Sequence, residues 1–262
     1  MLSRVSISTI KNIQRSFACC PKDKTLFETI LERQSVRKYK PESIPQGVLE
    51  ECIGATLTAP TAKNWQPYKI VVLRDKQDLA RLSSTMITKN AHVINQVPSA
   101  VIFLSDQKPG LLDHEYLECS KRMGKKETAT QAVINATKAS LPENEYEYKN
   151  QLKQALEASK TTLAMLPYTA REWSIKNTIF AVQTFVLAAQ AKGLGTIIME
   201  GYDGKKIQDI IGCGDRYIVT DVVACGVPDV ETNKPTLRYP IERMVYEGKF
   251  GNVMKNIPNY RE

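Results

Sequence analysis

The sequence predicts an α+β domain built on one sheet. Four apolar, largely β-branched runs read as strands, at residues 70–73 (IVVL), 100–105 (AVIFLS), 196–200 (TIIME) and 217–227 (YIVTDVVACGV). Stretches with helical spacing surround them in irregular order, without the alternating βαβ series of a doubly wound sheet. No internal repeat divides the chain, and its 262 residues suffice for one large core.

Residues 1–22 carry Arg4, Lys11, Arg15 and Lys22 and no acid. They are rich in serine, weakly amphipathic and lack a continuous apolar core, so they read as a mitochondrial-type presequence or a disordered leader. Arg15-Ser16-Phe17-Ala18 resembles a matrix-protease site with the cut after Phe17. The folded domain is then expected over 23–262.

It opens with a helix over 26–33. Thr25 and Glu28 form a capping box, and Leu26, Phe27, Ile30 and Leu31 make an apolar stripe. Pro41 and Pro45 stop that helix from continuing, and a second is predicted from Pro45, burying Val48, Leu49, Cys52 and Ile53. The loop TAPTAKNWQPYK leads into the first strand, and a short helix near 77–85 precedes the second. Residues 111–165 are polar, helical in places and broken at Leu141-Pro142. They predict a helical excursion, over about 111–170, that covers something. In the long helix that follows, Ile175, Ile179, Val182, Val186 and Ala189 recur at helical spacing, and Gly193 stops it. Asp203 caps a short helix that ends near Gly212, and a last short helix starts at Pro240.

Composition removes several function classes. The net charge is +8, but four of the eight lie in the acid-free leader, and the remaining +4 includes no long basic run. A nucleic-acid partner is therefore not expected. The longest apolar stretch, 178–191, is interrupted by Gln183 and Gln190 and is too short to span a membrane. Six cysteines make no C-x-x-C pair, and Cys52 and Cys225 sit in apolar contexts. His92 and His114 are too few for a zinc site or a triad, so no metal is expected. Gly212-Cys213-Gly214 follows a helix and lacks a third glycine, so it is no dinucleotide fingerprint.

Four stretches carry possible chemistry. In ERQSVRKY, an extended backbone past the helix would set Arg33, Ser35 and Arg37 on one side. Two guanidinium forks and a hydroxyl suit a phosphate; a solvated surface is the alternative. APTAKNWQPY fixes a loop with two prolines and offers Asn64 and Gln66, suiting a planar heterocycle or serving as an ordinary turn. In MEGYDG, Gly201 permits close backbone approach to a flat ligand, or merely turns the chain. Arg238 in TLRYP is a late cation just before a helix start.

In this order and at these distances, R-x-S-x-R, A-P-T-x-x-N-x-Q-P, E-G-Y-D and Arg238-x-Pro240 resemble the FMN-dependent nitroreductase family, over about 26–250. The long helix leading to AKGLGT looks like that family's core helix. The resemblance implies a central mixed, mostly antiparallel sheet flanked by helices, in a domain-swapped homodimer with FMN at the interface. It implies that Arg33, Ser35 and Arg37 hold the phosphate, ribityl chain and N1/O2 edge, with Gln34 among them through its backbone. Pro60, Thr61, Ala62 and Asn64 would come from the other subunit, and Asn90 would reach the pyrimidine edge. Glu200 and Gly201 would present backbone N–H groups to N5 and O4, and Arg238 would return to the phosphate. Thr236 stands where a lysine is frequent, so the phosphate grip is expected to differ.

The implied activity is ping-pong: NADPH or NADH reduces the flavin, then a nitroaromatic, quinone or related acceptor takes the electrons. Arg37 would stabilise charge on the reduced ring, and the backbone at Glu200 and Gly201 would tune N5. The excursion would serve as a lid. Two alternatives stand beside this reading. One is other chemistry on the same scaffold, such as dehydrogenation, dehalogenation or flavin degradation. The other is a non-catalytic basic protein that binds RNA or acidic lipid.

Overall fold

The computed structural model describes residues 25–109, 113–141, 146–147, 149–150, 169–229 and 238–258. The leader, Thr236 and the part of the excursion from 151 to 168 lie outside them. In chain order the first half holds α1 (Leu26–Glu32), α2 (Val48–Thr56), β1 (Tyr68–Leu73), α3 (Lys76–Ser84), α4 (Thr88–Ile94) and β2 (Ser99–Asp106). There follow α5 (Asp113–Arg122), α6 (Glu127–Ser140), α7 (Ala170–Ala191), β3 (Gly195–Met199), α8 (Gly204–Ile211) and β4 (Tyr217–Gly226). One-turn 3-10 helices occupy Ala62–Asn64 and Ile241–Arg243.

The predicted single sheet is present, with strand order β1-β2-β4-β3 and every ladder antiparallel. Among the described residues, its parallel pairing is the bridge Ser35↔Thr196, where the basic stretch touches the outer strand. β2 is buried along its whole length, which is why it reads as a continuous apolar run. Leu104, Ile102, Val222 and Ala224 pack on one face against Leu82, Ile94 and Ile207 of α3, α4 and α8. Val101, Phe103 and Val223 pack on the other against Cys52 of α2 and Phe185 and Val186 of α7. Burial pushes the Cys52 thiol up to about 12, so it behaves as a small core residue, as does buried Cys225.

Caps follow the sequence. At α1 the Thr25 hydroxyl accepts the Glu28 N–H (3.2 Å), and the Glu28 carboxylate accepts the Thr25 N–H (2.8 Å). Thr169 and Glu172 repeat the device at α7, Asp203 caps α8, and Gly193 and Gly212 take left-handed conformations. α2 starts at Val48 and not at Pro45, because Gly47 turns left-handed (φ 83) and serves as its cap. α4 has no side-chain cap bond and buries only Val93 and Ile94, so its sequence carries little periodic signal.

Two apolar stripes depart from expectation. On α1 only Thr29 is buried, while Leu26, Phe27 and Ile30 are exposed. On α7 the buried residues include Trp173, Asn177, Ala181, Val182, Phe185, Val186 and Ala189, and the last five of these pack on the sheet. Ile175 is half-buried, and Ile179 and Phe180 are exposed. α7 is apolar on more than one side, and a single stripe drawn through Ile175 and Ile179 mixes two faces. α1 and α7 pack together, leaving exposed apolar residues on both.

The described part of the excursion is α5 and α6, and α6 stops at Ser140 just before the predicted break. Ile134 and Leu141 join Trp65, Ala170 and Trp173 in a satellite core. Among the described residues, no helix is long and apolar enough to cross a membrane.

Candidate functional site

The basic stretch leaves α1 as the sequence requires. Arg33 is the C-cap; its N–H donates to the Thr29 carbonyl (3.1 Å), and its ψ of 124 starts an extended run. Val36 is the anchor: it is buried, and its N–H donates to the Thr196 carbonyl (2.9 Å) at the start of β3. Gly195 makes room for it, since a Cβ there would lie 2.9 Å from a Val36 methyl. With Val36 turned inward, Arg33, Gln34 and Ser35 are half-buried and Arg37 is exposed. The Arg37 guanidinium donates to the Ser35 carbonyl (3.2 Å), which folds the arginine back along the stretch.

The other end of β3 carries the Glu200–Gly201 turn. The Gly201 carbonyl accepts the Ile87 N–H (3.0 Å) and Nδ2 of Asn90 (3.3 Å). The Asp203 N–H donates to the Thr85 carbonyl (2.8 Å), and Met86 and Tyr202 form a bridge. The Tyr202 hydroxyl donates to the Val219 and Thr220 carbonyls of β4 (3.1 and 2.9 Å). These bonds fix the turn between α4 and β4. A Cβ on Gly201 would stand 2.4 Å from Ile87 Cδ1 and 3.1 Å from Asn90 Nδ2, so a larger residue there would require the exposed Ile87 side chain to move. The Glu200 side chain is exposed.

The two groups are therefore joined by one strand. Four residue steps from Thr196 to Glu200 span about 13 Å. Cations and a hydroxyl stand at its start, and a backbone turn stiffened by an amide side chain stands at its end. That donor set suits a ligand with an anionic tail and a flat, polar-edged ring.

The proline loop lies elsewhere in the same chain. Pro60, Ala62 and Asn64 are exposed and Thr61 is half-buried. Lys63, Asn64 and Gln66 hold positive φ values of 55, 55 and 51, a strained run for residues with a Cβ. It is held from several sides. The Ala62 N–H donates to Asn177 Oδ1 of α7 (2.7 Å), and the Gln66 N–H to the Thr61 hydroxyl (3.0 Å). Lys63 Nζ donates to Thr137 of α6 (3.0 Å), and the Tyr116 hydroxyl of α5 to the Lys63 carbonyl (2.8 Å). Trp65 stacks on Tyr116 at 4.5 Å and donates Nε1–H to the Pro109 carbonyl (2.7 Å). Asn64, Gln66, Tyr116 and Cys119 help line a cleft of about 220 Å³ between the loop and α5.

Within one chain, the hydrogen bonds of this loop reach α5, α6 and α7, not Ser35, Arg37 or Glu200. The structure thus unites Arg33, Gln34, Ser35 and Arg37 with β3, and Asn90 with Glu200 and Gly201. It leaves Pro60, Thr61, Ala62 and Asn64 in a second place. Arg238 is exposed, next to residues outside the described set.

Sequence reasoning missed three residues that shape these places. Ile87 packs against Gly201, and Asn177 anchors the loop. The third is Asp221, buried in β4, whose carboxyl is pushed up to about 7, first by burial and then by the Glu200 charge. A lone acid within the apolar run YIVTDVVACGV was the available signal for it.

The profile of the nitroreductase family matches residues 30–227. A Thermus thermophilus protein described as an NADH dehydrogenase is 28% identical over 215 residues, covering 82% of this chain and 92% of its own. The crystal structure of a nitroreductase family protein from Streptococcus pneumoniae superposes with a TM-score of 0.66 at 19% identity, covering 85% of this chain and all of that one. A protein from Exiguobacterium sibiricum, solved in complex with FMN, gives 0.66 at 16% identity, covering 86% of this chain and 98% of its own.

Proposed function

Because the chain belongs to the nitroreductase family, we propose that it is an FMN-dependent NAD(P)H oxidoreductase whose site is completed by a second copy of the chain. The observation that carries this reading is the placement of Arg33–Arg37 and of the Asn90-backed Glu200–Gly201 turn at opposite ends of β3. FMN, when bound, supplies two-electron chemistry between the nicotinamide and a nitroaromatic, quinone or related acceptor in two successive half-reactions.

The chain's own residues bind and orient. Arg33 and Ser35 hold the phosphate and ribityl chain with Gln34, and Arg238 adds a further cation at the phosphate. Arg37 would hold the N1/O2 edge, where its fixed positive charge would favour the electron-rich form of the ring. The Glu200 carbonyl accepts the Tyr202 N–H (3.1 Å) and the Gly201 carbonyl is tied down by Ile87 and Asn90, so the turn is stiff on both sides of Gly201, and the amides of Glu200 and Gly201 would serve N5 and O4. Asn90 also meets the pyrimidine edge.

Pro60, Thr61, Ala62 and Asn64 belong to the site of the partner copy. Their loop is rigidly held yet bonded away from Ser35, Arg37 and Glu200 of its own chain. The exposed apolar residues Leu26 and Ile30 on α1 and Ile179 and Phe180 on α7 favour such a dimer. The exposed Met244, Phe250 and Met254 of the C-terminal segment suit the exchange of that segment between copies. α5 and α6 act as the lid.

Anaerobic titration of the purified protein with NADPH and with NADH tests the reading. Loss of the flavin absorbance, regained on adding a nitroaromatic or a quinone, is expected. A colourless protein that binds RNA in a salt-sensitive manner would replace it with the non-catalytic alternative. A mitochondrial address for residues 1–22 is a separate proposal resting on their composition alone, and the bacterial relative lends it no support. Fusion of those residues to a reporter tests it; a diffuse cytosolic signal would refute it.

A further inference from the structure

Asp221 is the one acid of β4, and it is 2% exposed. Its Oδ2 has no hydrogen-bond partner among the described residues. The sheet's other buried aspartate shows what is missing. Asp106 receives Nε and Nη2 of Arg216 at 3.0 and 2.7 Å, so its charge is matched. A buried carboxylate without such a partner is costly, and protonation is its ordinary way out.

The register explains why an acid sits there. The last pair of the β3–β4 ladder is Met199↔Val222, and the next step sets Glu200 across from Asp221. On its other side Asp221 faces Phe103 of β2, which carries no charge. α7 covers this face with Ser174, Asn177, Thr178, Ala181 and Val182, all uncharged. Tyr202 of the turn is near enough that Asp221 helps push its phenol up, after burial. Glu200 is thus the charged group whose field reaches Asp221, and it belongs to the turn assigned to the ring edge.

We propose that Asp221 is a positioning residue for that turn: its buried carboxylate takes a proton from solvent when the adjoining site gains an electron-rich ring, so that two carboxylates never oppose that ring together. The step is an acid–base one, COO⁻ plus a solvent proton giving COOH, with no other bond made or broken. It rests on the flavin reading above. Burial and Glu200 have already brought Asp221 to about 7, so near neutral pH a modest added negative potential changes its charge state.

The test compares the full-length protein with Asp221→Asn, which keeps the shape and fixes the neutral form. The first arm is thermal stability against pH. Because the folded-state value is raised from 3.8 to about 7, the stability from this carboxyl is fully present below 3.8 and is lost as pH rises through about 7. D221N should be flatter over that window. The second arm is the midpoint potential of bound FMN against pH. Wild type should show an inflection near neutral pH, and D221N should lack it while still binding FMN.

An inflection that persists in D221N overturns the proposal. So does a flattened stability profile with an unaltered potential profile, which would make Asp221 a structural group only. Failure of the wild type to bind FMN would remove the flavin reading, and with it the role at the ring. The stability arm would still report the buried proton separately. Should D221N fail to fold, Glu200→Gln decides: removing that charge should move the inflection to lower pH, and an unmoved inflection refutes the coupling.

Discussion

Ile87 lies so close to Gly201 that its side chain must move before the turn after β3 can take a Cβ. Gly201→Ala should force the Ile87 side chain aside at a cost of about 0.5–1.5 kcal/mol. Ile87 itself is exposed, so Ile87→Ala in the same chain should restore most of that stability. Equal melting temperatures for wild type and Gly201→Ala would refute the steric reading. At the other end of β3, Arg37→Ala should lower FMN occupancy and slow flavin reduction together, measured by absorbance and stopped flow. Wild-type values would remove Arg37 from the ring. At this scale the sequence was partly legible. R-x-S-x-R and E-G-Y-D marked residues that lie at the two ends of one strand, because extended alternation and glycine at a tight turn are local facts. Ile87, Asn177 and Asp221 were not marked, because each acts through a contact far along the chain.

The proline loop shows how an element is stiffened from outside. Its left-handed residues are held locally by the Gln66 N–H bond to the Thr61 hydroxyl and from outside by α5, α6 and α7. Asn177→Ala removes the acceptor of the Ala62 N–H and should cost about 1–2 kcal/mol. It should also raise amide exchange in residues 61–66 more than in the sheet; unchanged exchange would mean that the lid helices suffice. Strands and caps were readable, since the apolar runs and the Thr25–Glu28 and Thr169–Glu172 pairs are contiguous or nearly so. α4 was not, because two buried residues make no period. The stripe on α7 was drawn across two faces, because a helix that is apolar on more than one side gives periodicity no unique phase.

For the whole molecule, the decisive feature is the exposed apolar surface of Leu26 and Ile30 on α1 and of Ile179 and Phe180 on α7 among the described residues. A loop pinned away from the Arg33–Arg37 stretch and the Glu200 turn points the same way. Both support the proposal that two copies share each site, a property that a single sequence carries only as apolar stripes. Phe180→Glu places a charge on the exposed face of α7 and should yield a folded monomer that has lost flavin. Light scattering and circular dichroism would show this, and a dimer retaining full flavin would contradict it. The most direct measurement is the flavin content of the purified full-length protein, by absorbance per chain after exchange into FMN-free buffer. One FMN per chain is expected, falling sharply in both Arg37→Ala and Phe180→Glu; protein that stays colourless even after incubation with excess FMN would contradict it.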